Sequence, residues 1–193
     1  MRVFVAIVLS DDSQRRLRAP LQQLVEDHDS VLRAIPDQTA HMTMAFVGNV
    51  EDRDVAAIEE AMQEVARPRG PVGIELAGPR VLRARQEPRL IMLPVTKGAL
   101  QLDAIANDLH RAITVRLGSL NLSPAKGAHV TLARFRKHAR PSDGRALDSL
   151  RSVRSRDESQ LVVVACGPLC TVRADRDGAA TRGVRAQGAA ATR

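Results

Sequence analysis

Two short segments, His41-Met42-Thr43-Met44 and His129-Val130-Thr131-Leu132, each open an apolar run, continued by Ala45-Phe46-Val47 in the first and Ala133 in the second. Side chains alternate between faces along a strand, so His41 shares a face with Thr43, and His129 with Thr131, while Met42, Met44 and Phe46 turn to the other side. The chain therefore has to supply two half-buried strands, each anchored by an apolar face and each carrying one imidazole and one hydroxyl on its second face. By the same parity Phe46 is expected in the core. Arg134 is expected opposite His129 unless the strand bulges there.

Around these segments the elements are legible from periodicity. Residues 3–9 form a continuous apolar run that reads as a buried strand, and Ser10-Asp11-Asp12 reads as the cap of a helix. In that helix Leu17, Leu21, Leu24 and Val25 recur at helical spacing, with Pro20 either kinking it or marking its first turn. Val55, Ile58, Met62 and Val65 predict a second helix, opened by Asp52 and Asp54 and closed before Pro68. Short strands follow over 72–76, 81–85 and 90–95. Leu102, Ile105, Leu109 and Ile113 predict a third helix, with Thr96 as cap and Gly118 as terminator. A strand over 130–135, a short helix around 146–153 and strands over 161–165 and 169–172 complete the series. Residues 1–173 are expected to form one domain. The Ala/Gly/Arg-rich stretch 174–193, in which Val184 is the only large aliphatic residue, is expected to be a mobile tail because it buries too little to offset its ordering entropy.

This order predicts an α+β fold and not a doubly wound parallel sheet. No G-x-G-x-x-G or G-x-x-x-x-G-K-S/T segment is present, which removes the dinucleotide-binding and P-loop readings. Aromatic residues are 2% of the chain, three Phe with no Trp or Tyr, so a broad stacking platform for single strands is poorly supplied and any RNA contact leans on charge. Lys and Arg number 29 against 22 Asp and Glu, and the net charge of +7 favours anionic partners, though an arginine excess set by genome composition explains it equally well. Cys166 and Cys170 alone complete neither a four-ligand zinc site nor a disulfide scaffold, and they read as reduced thiols. With only a seven-residue apolar run near the start and no run of transmembrane length, the expected location is the cytoplasm, with no membrane partner.

Paired imidazoles suit phosphoester chemistry. One neutral histidine takes a proton from the attacking group while a second, protonated one donates to the leaving oxygen. A hydroxyl two residues on reaches the same side and donates to a non-bridging phosphate oxygen. Thr occupies eight of 193 positions, so its presence two residues after two of the five histidines is a low-frequency event. Two unrelated strand histidines remain the competing explanation. His28, His110 and His138 have no partner at ligand spacing and read as structural or surface residues.

The segments MRVFVAIVLSDD, HMTMAFVGNV and GAHVTLARFRK, in this order, resemble the RNA 2′,3′-cyclic phosphodiesterase (2′-5′ RNA ligase-like) family of two-histidine phosphoesterases, whose hallmark is a pair of H-x-T-x motifs. The resemblance implies a bilobal fold of two pseudo-symmetric lobes of mainly antiparallel sheet with flanking helices around a cleft, with no metal and no cofactor. It implies that His41 is the proton donor to the leaving 3′ oxygen, His129 the proton acceptor from water, Thr43 and Thr131 the phosphate-binding hydroxyls, and Arg134 a further substrate contact. The implied substrate is RNA with a 2′,3′-cyclic phosphate end, or a cyclic nucleotide, turned over by a monomer to a 2′-phosphate. A 2′-5′ ligase, a phosphodiesterase for another small cyclic phosphate, and a non-catalytic RNA-binding module that merely grips phosphate are the alternatives.

Overall fold

The computed structural model describes residues 2–9, 11–35, 40–69, 72–118, 122–124, 127–140, 142–144, 162–174 and 180–185. Its elements in order are β1 (Arg2–Leu9), α1 (Asp11–Asp27), β2 (Leu32–Ala34), β3 (His41–Asn49), α2 (Asp52–Ala66), β4 (Gly73–Leu76), β5 (Arg80–Ala84), β6 (Glu87–Lys97), α3 (Ala99–Leu117), β7 (Ser123–Pro124), β8 (His129–Phe135), β9 (Val162–Ala174) and β10 (Ala180–Arg185). The α+β reading holds. One sheet runs β2-β8-β6-β4-β9-β1-β3-β7, with β10 added beside β9 and β5 beside β6. Every pairing is antiparallel.

The two motif strands sit in different halves of this sheet: β3 beside β1, and β8 between β6 and β2. Strand β9 joins the halves, pairing β4 through Val162–Ala165 and β1 from Cys166 onward. The two separate strands expected over 161–172 are thus one long strand. Its register slips between the partners of Ile7 and Leu9, where Gly167-Pro168 falls, because proline has no N–H to donate and is accommodated at a bulge. Strand β10 lies within the stretch expected as a mobile tail. It pairs through its backbone with β9 and therefore does not depend on large aliphatic side chains. The short helix expected around 146–153 lies outside the described residues.

Helices α2 and α3 pack on each other and close the core. Val55, Ile58, Ala61, Met62 and Val65 form the buried stripe of α2, and Leu102, Ile105, Leu109 and Ile113 that of α3, as their spacing predicts. Asp54 accepts a 2.9 Å hydrogen bond from the Glu51 N–H at the start of α2. Thr96, expected to cap α3, instead donates across the sheet to the Glu75 carbonyl at 3.2 Å, because β6 continues to Lys97. The cap is Gly98, at φ +81, where a side chain would meet the Gly73 carbonyl at 2.7 Å. Gly118 ends α3 as expected. Helix α1 passes through Pro20 without interruption.

Candidate active site

His41 and His129 are the first residues of β3 and β8, and the two strands touch. Over their first seven residues they repeat one pattern: His half-buried, next residue buried, Thr half-buried, two consecutive buried residues, an exposed residue and a buried one. The consecutive buried pairs are Met44-Ala45 and Leu132-Ala133. At both places the register slips, between Val5 and Ala6 opposite β3, and between Ile91 and Met92 opposite β8. Each motif strand therefore bulges just after its threonine, which reverses the parity beyond it.

The reversal overturns the expectation for Phe46, which is 48% exposed and not a core residue. It also removes the parity objection to Arg134, which is exposed five residues after His129, just as Phe46 is five residues after His41. One strand thus carries His, Thr and Phe on its accessible face, and the other carries His, Thr and Arg. The alanine four residues after each histidine, Ala45 and Ala133, is the sequence signal of the bulge: a small side chain fits where two successive residues point inward.

Each histidine has a distinct setting. The His129 Nδ1 lies 2.8 Å from the Gly127 carbonyl oxygen. A carbonyl only accepts, so Nδ1 carries the proton and the neutral ring keeps its lone pair on Nε2. Gly127 adopts φ +67, a conformation open to glycine, just before the strand. His41 packs against Phe4, with ring centroids 5.3 Å apart and planes inclined by 31°. Phe4 also meets Phe46 at 6.4 Å, so the three rings form a row beside the motif. Sequence reasoning missed Phe4 because residues 3–9 read as uniformly buried, whereas Phe4 and Val8 are half-exposed around Ala6.

Burial pulls the Arg134 guanidinium below its ordinary pKa, and the positive charges of Arg33 and Arg2 act in the same direction. It remains a cation at neutral pH. Arg136, two residues beyond Arg134, is a tether: its Nε donates to the carbonyls of Asp29 at 2.8 Å and Leu32 at 3.1 Å, fixing the turn into β2. His138 bonds the Ser30 carbonyl at 2.8 Å in the same turn, consistent with a structural role.

The sequence profile described as LigT like Phosphoesterase matches residues 12–92, a span that holds the first motif and ends before the second. An RNA 2′,3′-cyclic phosphodiesterase of Aquifex aeolicus is 25% identical over 144 residues, 72% of this chain and 74% of its own. One of Archaeoglobus fulgidus is 27% identical over 137 residues, 71% and 74% of the two chains. Over residues 12–92 the chain is similar to the LigT-like phosphoesterases, and the relatives it resembles over about seven-tenths of its length carry the name RNA 2′,3′-cyclic phosphodiesterase. Solved structures agree on the LigT-like fold: TT0787 of Thermus thermophilus superposes with a TM-score of 0.66 at 18% identity, over 92% of both chains. Apo LigT of E. coli superposes with a TM-score of 0.55, also at 18% identity, over 94% of this chain and 92% of its own. No helix among the described residues is long and apolar enough to cross a membrane.

Proposed function

We propose that this protein hydrolyses 2′,3′-cyclic phosphodiester ends of RNA to 2′-phosphomonoesters, with His41 as acid and His129 as base. The observation that carries the reading is the hydrogen bond from His129 Nδ1–H to the Gly127 carbonyl, in a chain whose two motif strands meet. It leaves Nε2 as the basic atom of a histidine whose Thr131 lies on the same face. Nε2 takes a proton from water as the water oxygen forms its bond to phosphorus. The bond from phosphorus to the 3′ oxygen breaks, and protonated His41 supplies the proton that oxygen needs. Thr43 and Thr131 donate hydrogen bonds to the non-bridging oxygens, where negative charge increases in the transition state. At the end of the cycle His41 is neutral and His129 charged, and proton exchange with solvent restores both.

The exposed Phe46 ring, held by Phe4, offers one face to a nucleobase and favours a nucleotide over a small cyclic phosphate without a base. The names of the Aquifex and Archaeoglobus relatives point to the same substrate class. The test is to incubate the protein with a short RNA ending in 2′,3′-cyclic phosphate and identify the product end. A 2′-phosphate is expected. A joined 2′-5′ product would transfer the reading to ligation, and salt-sensitive binding without any product would make the motifs a phosphate grip.

A further inference from the structure

Several arginines elsewhere on this protein are held by carboxylates: Arg15 and Arg16 by Asp12, Arg69 and Arg111 by Asp108, and Arg116 by Glu64. Arg2, Arg33 and Arg134 differ. None has an ion pair or a side-chain hydrogen bond with any described residue. Arg33 and Arg134 stand directly opposite each other in the β2–β8 pair, so both side chains leave the sheet on one face, and both are exposed. Like charges in that position repel and weaken a sheet. Arg2, at the start of β1, is exposed on the same side of its strand as Phe4, the residue whose ring touches His41 and Phe46. Partial burial is the main cause that lowers the Arg134 guanidinium pKa, and the positive charges of Arg33 and then Arg2 act in the same direction.

A cluster of three cations without a counter-charge among the described residues, bordering the His–Thr face, exceeds what one cyclic phosphate needs, since that group carries a single negative charge and already faces two threonines. We propose that Arg2 and Arg33, alongside Arg134, form a second phosphate subsite that holds the phosphodiester linkage preceding the terminal nucleotide. The inference rests on the reading of the site given above and deepens it: the substrate is the end of a chain, and a lone cyclic mononucleotide leaves the subsite empty. Guanidinium groups suit this task because they stay charged and meet phosphate oxygens through paired N–H donors.

The test compares two substrates that share a terminal nucleotide, a cyclic mononucleotide with a 5′-hydroxyl and a trinucleotide ending in the same cyclic phosphate, in the native protein and in Arg2→Gln and Arg33→Gln. The native protein is expected to prefer the trinucleotide by about tenfold or more in kcat/KM, the scale of one charge-assisted phosphate contact. Each substitution is expected to shrink that preference at least threefold and to lower the salt slope of binding to a 2′-phosphorylated trinucleotide by about 0.7. Arg33→Gln also relieves repulsion, so its Tm is expected to equal or exceed the native value. A trinucleotide preference and a salt slope that both survive the two substitutions would overturn the subsite. If the native protein turns over neither substrate, the hydrolytic reading fails, and the salt slopes still decide whether the arginines bind a strand.

Discussion

The bulge after Thr43 makes a quantitative claim about neighbouring residues that strand alternation assigns the other way. Met44 is 1% exposed and Phe46 48% exposed. Truncating a buried methionine to alanine costs about 2–5 kcal/mol, from lost transfer free energy and the cavity left behind. Full burial of a phenylalanine is worth about 1.5–3 kcal/mol, and half of that applies to Phe46. The contact with Phe4 adds about 0.5–1 kcal/mol. Phe46→Ala should therefore cost about 1.3–2.5 kcal/mol, with a midpoint of about 2 kcal/mol, against a midpoint of about 3.5 kcal/mol for Met44→Ala. At about 2–4 °C per kcal/mol for a chain of this size, the expected losses in Tm are about 4–8 °C and about 7–14 °C. Function should move in the opposite order. Phe46→Ala removes a stacking surface worth about 1–3 kcal/mol per base and should lower kcat/KM for RNA by about tenfold, whereas Met44→Ala should leave it within about threefold. Thermal melts and initial rates on the two purified variants decide the matter. A Phe46→Ala variant as unstable as Met44→Ala, with unchanged RNA kinetics, would return Phe46 to the core and refute the bulge argument.

Further predictions concern the proton path and the framework. The kcat/KM profile should be bell-shaped in pH, losing rate in acid as the base is protonated and in alkali as the acid loses its proton; a flat profile from pH 5 to 9 would remove the two-histidine mechanism. Gly127→Ala meets no atom within 4 Å but imposes φ +67 on a residue with a Cβ, so it should cost about 1 kcal/mol in stability while misaligning the carbonyl that orients His129. A fall in kcat of about tenfold with nearly unchanged KM is expected, and native kcat would show that this carbonyl does not orient the base. The Asp108 carboxyl lies below its ordinary pKa, chiefly through its hydrogen bond to Arg111, with Arg69 adding to the effect. A depressed carboxyl stabilises the fold above its unfolded pKa and loses that contribution as pH falls through the folded value. Asp108→Asn should thus lower Tm at neutral pH, and the gap should close in acid; a gap independent of pH would contradict this.

Much of the arrangement was legible in residue order. The apolar spacing of Val55, Ile58, Met62 and Val65, and of Leu102, Ile105, Leu109 and Ile113, placed α2 and α3, since a helix must bury one stripe whatever surrounds it. That the segments at His41 and His129 open two strands with the same burial pattern was legible because their motif is duplicated. Phe46 was misassigned because strict alternation has no way to register a bulge, which depends on the partner strand; the repeated alanine at Ala45 and Ala133 was the available clue. Phe4 was hidden inside a continuous apolar run whose two faces differ only in the folded sheet. Arg33 is far from Arg134 in sequence and stands opposite it only through the pairing of β2 with β8, so no local pattern marks it.

The central claim is that His41 and His129 act together on one phosphorus, and single-turnover rates on an RNA 2′,3′-cyclic phosphate test it most directly. The native protein, His41→Ala and His129→Ala would be compared at saturating enzyme, with chelator present and product ends identified. The account predicts a 2′-phosphate product in the native reaction and a loss of about 10²- to 10⁴-fold in rate for each variant, with both still folded and still binding the RNA. A variant lacking either histidine that forms the 2′-phosphate at the native rate would contradict it.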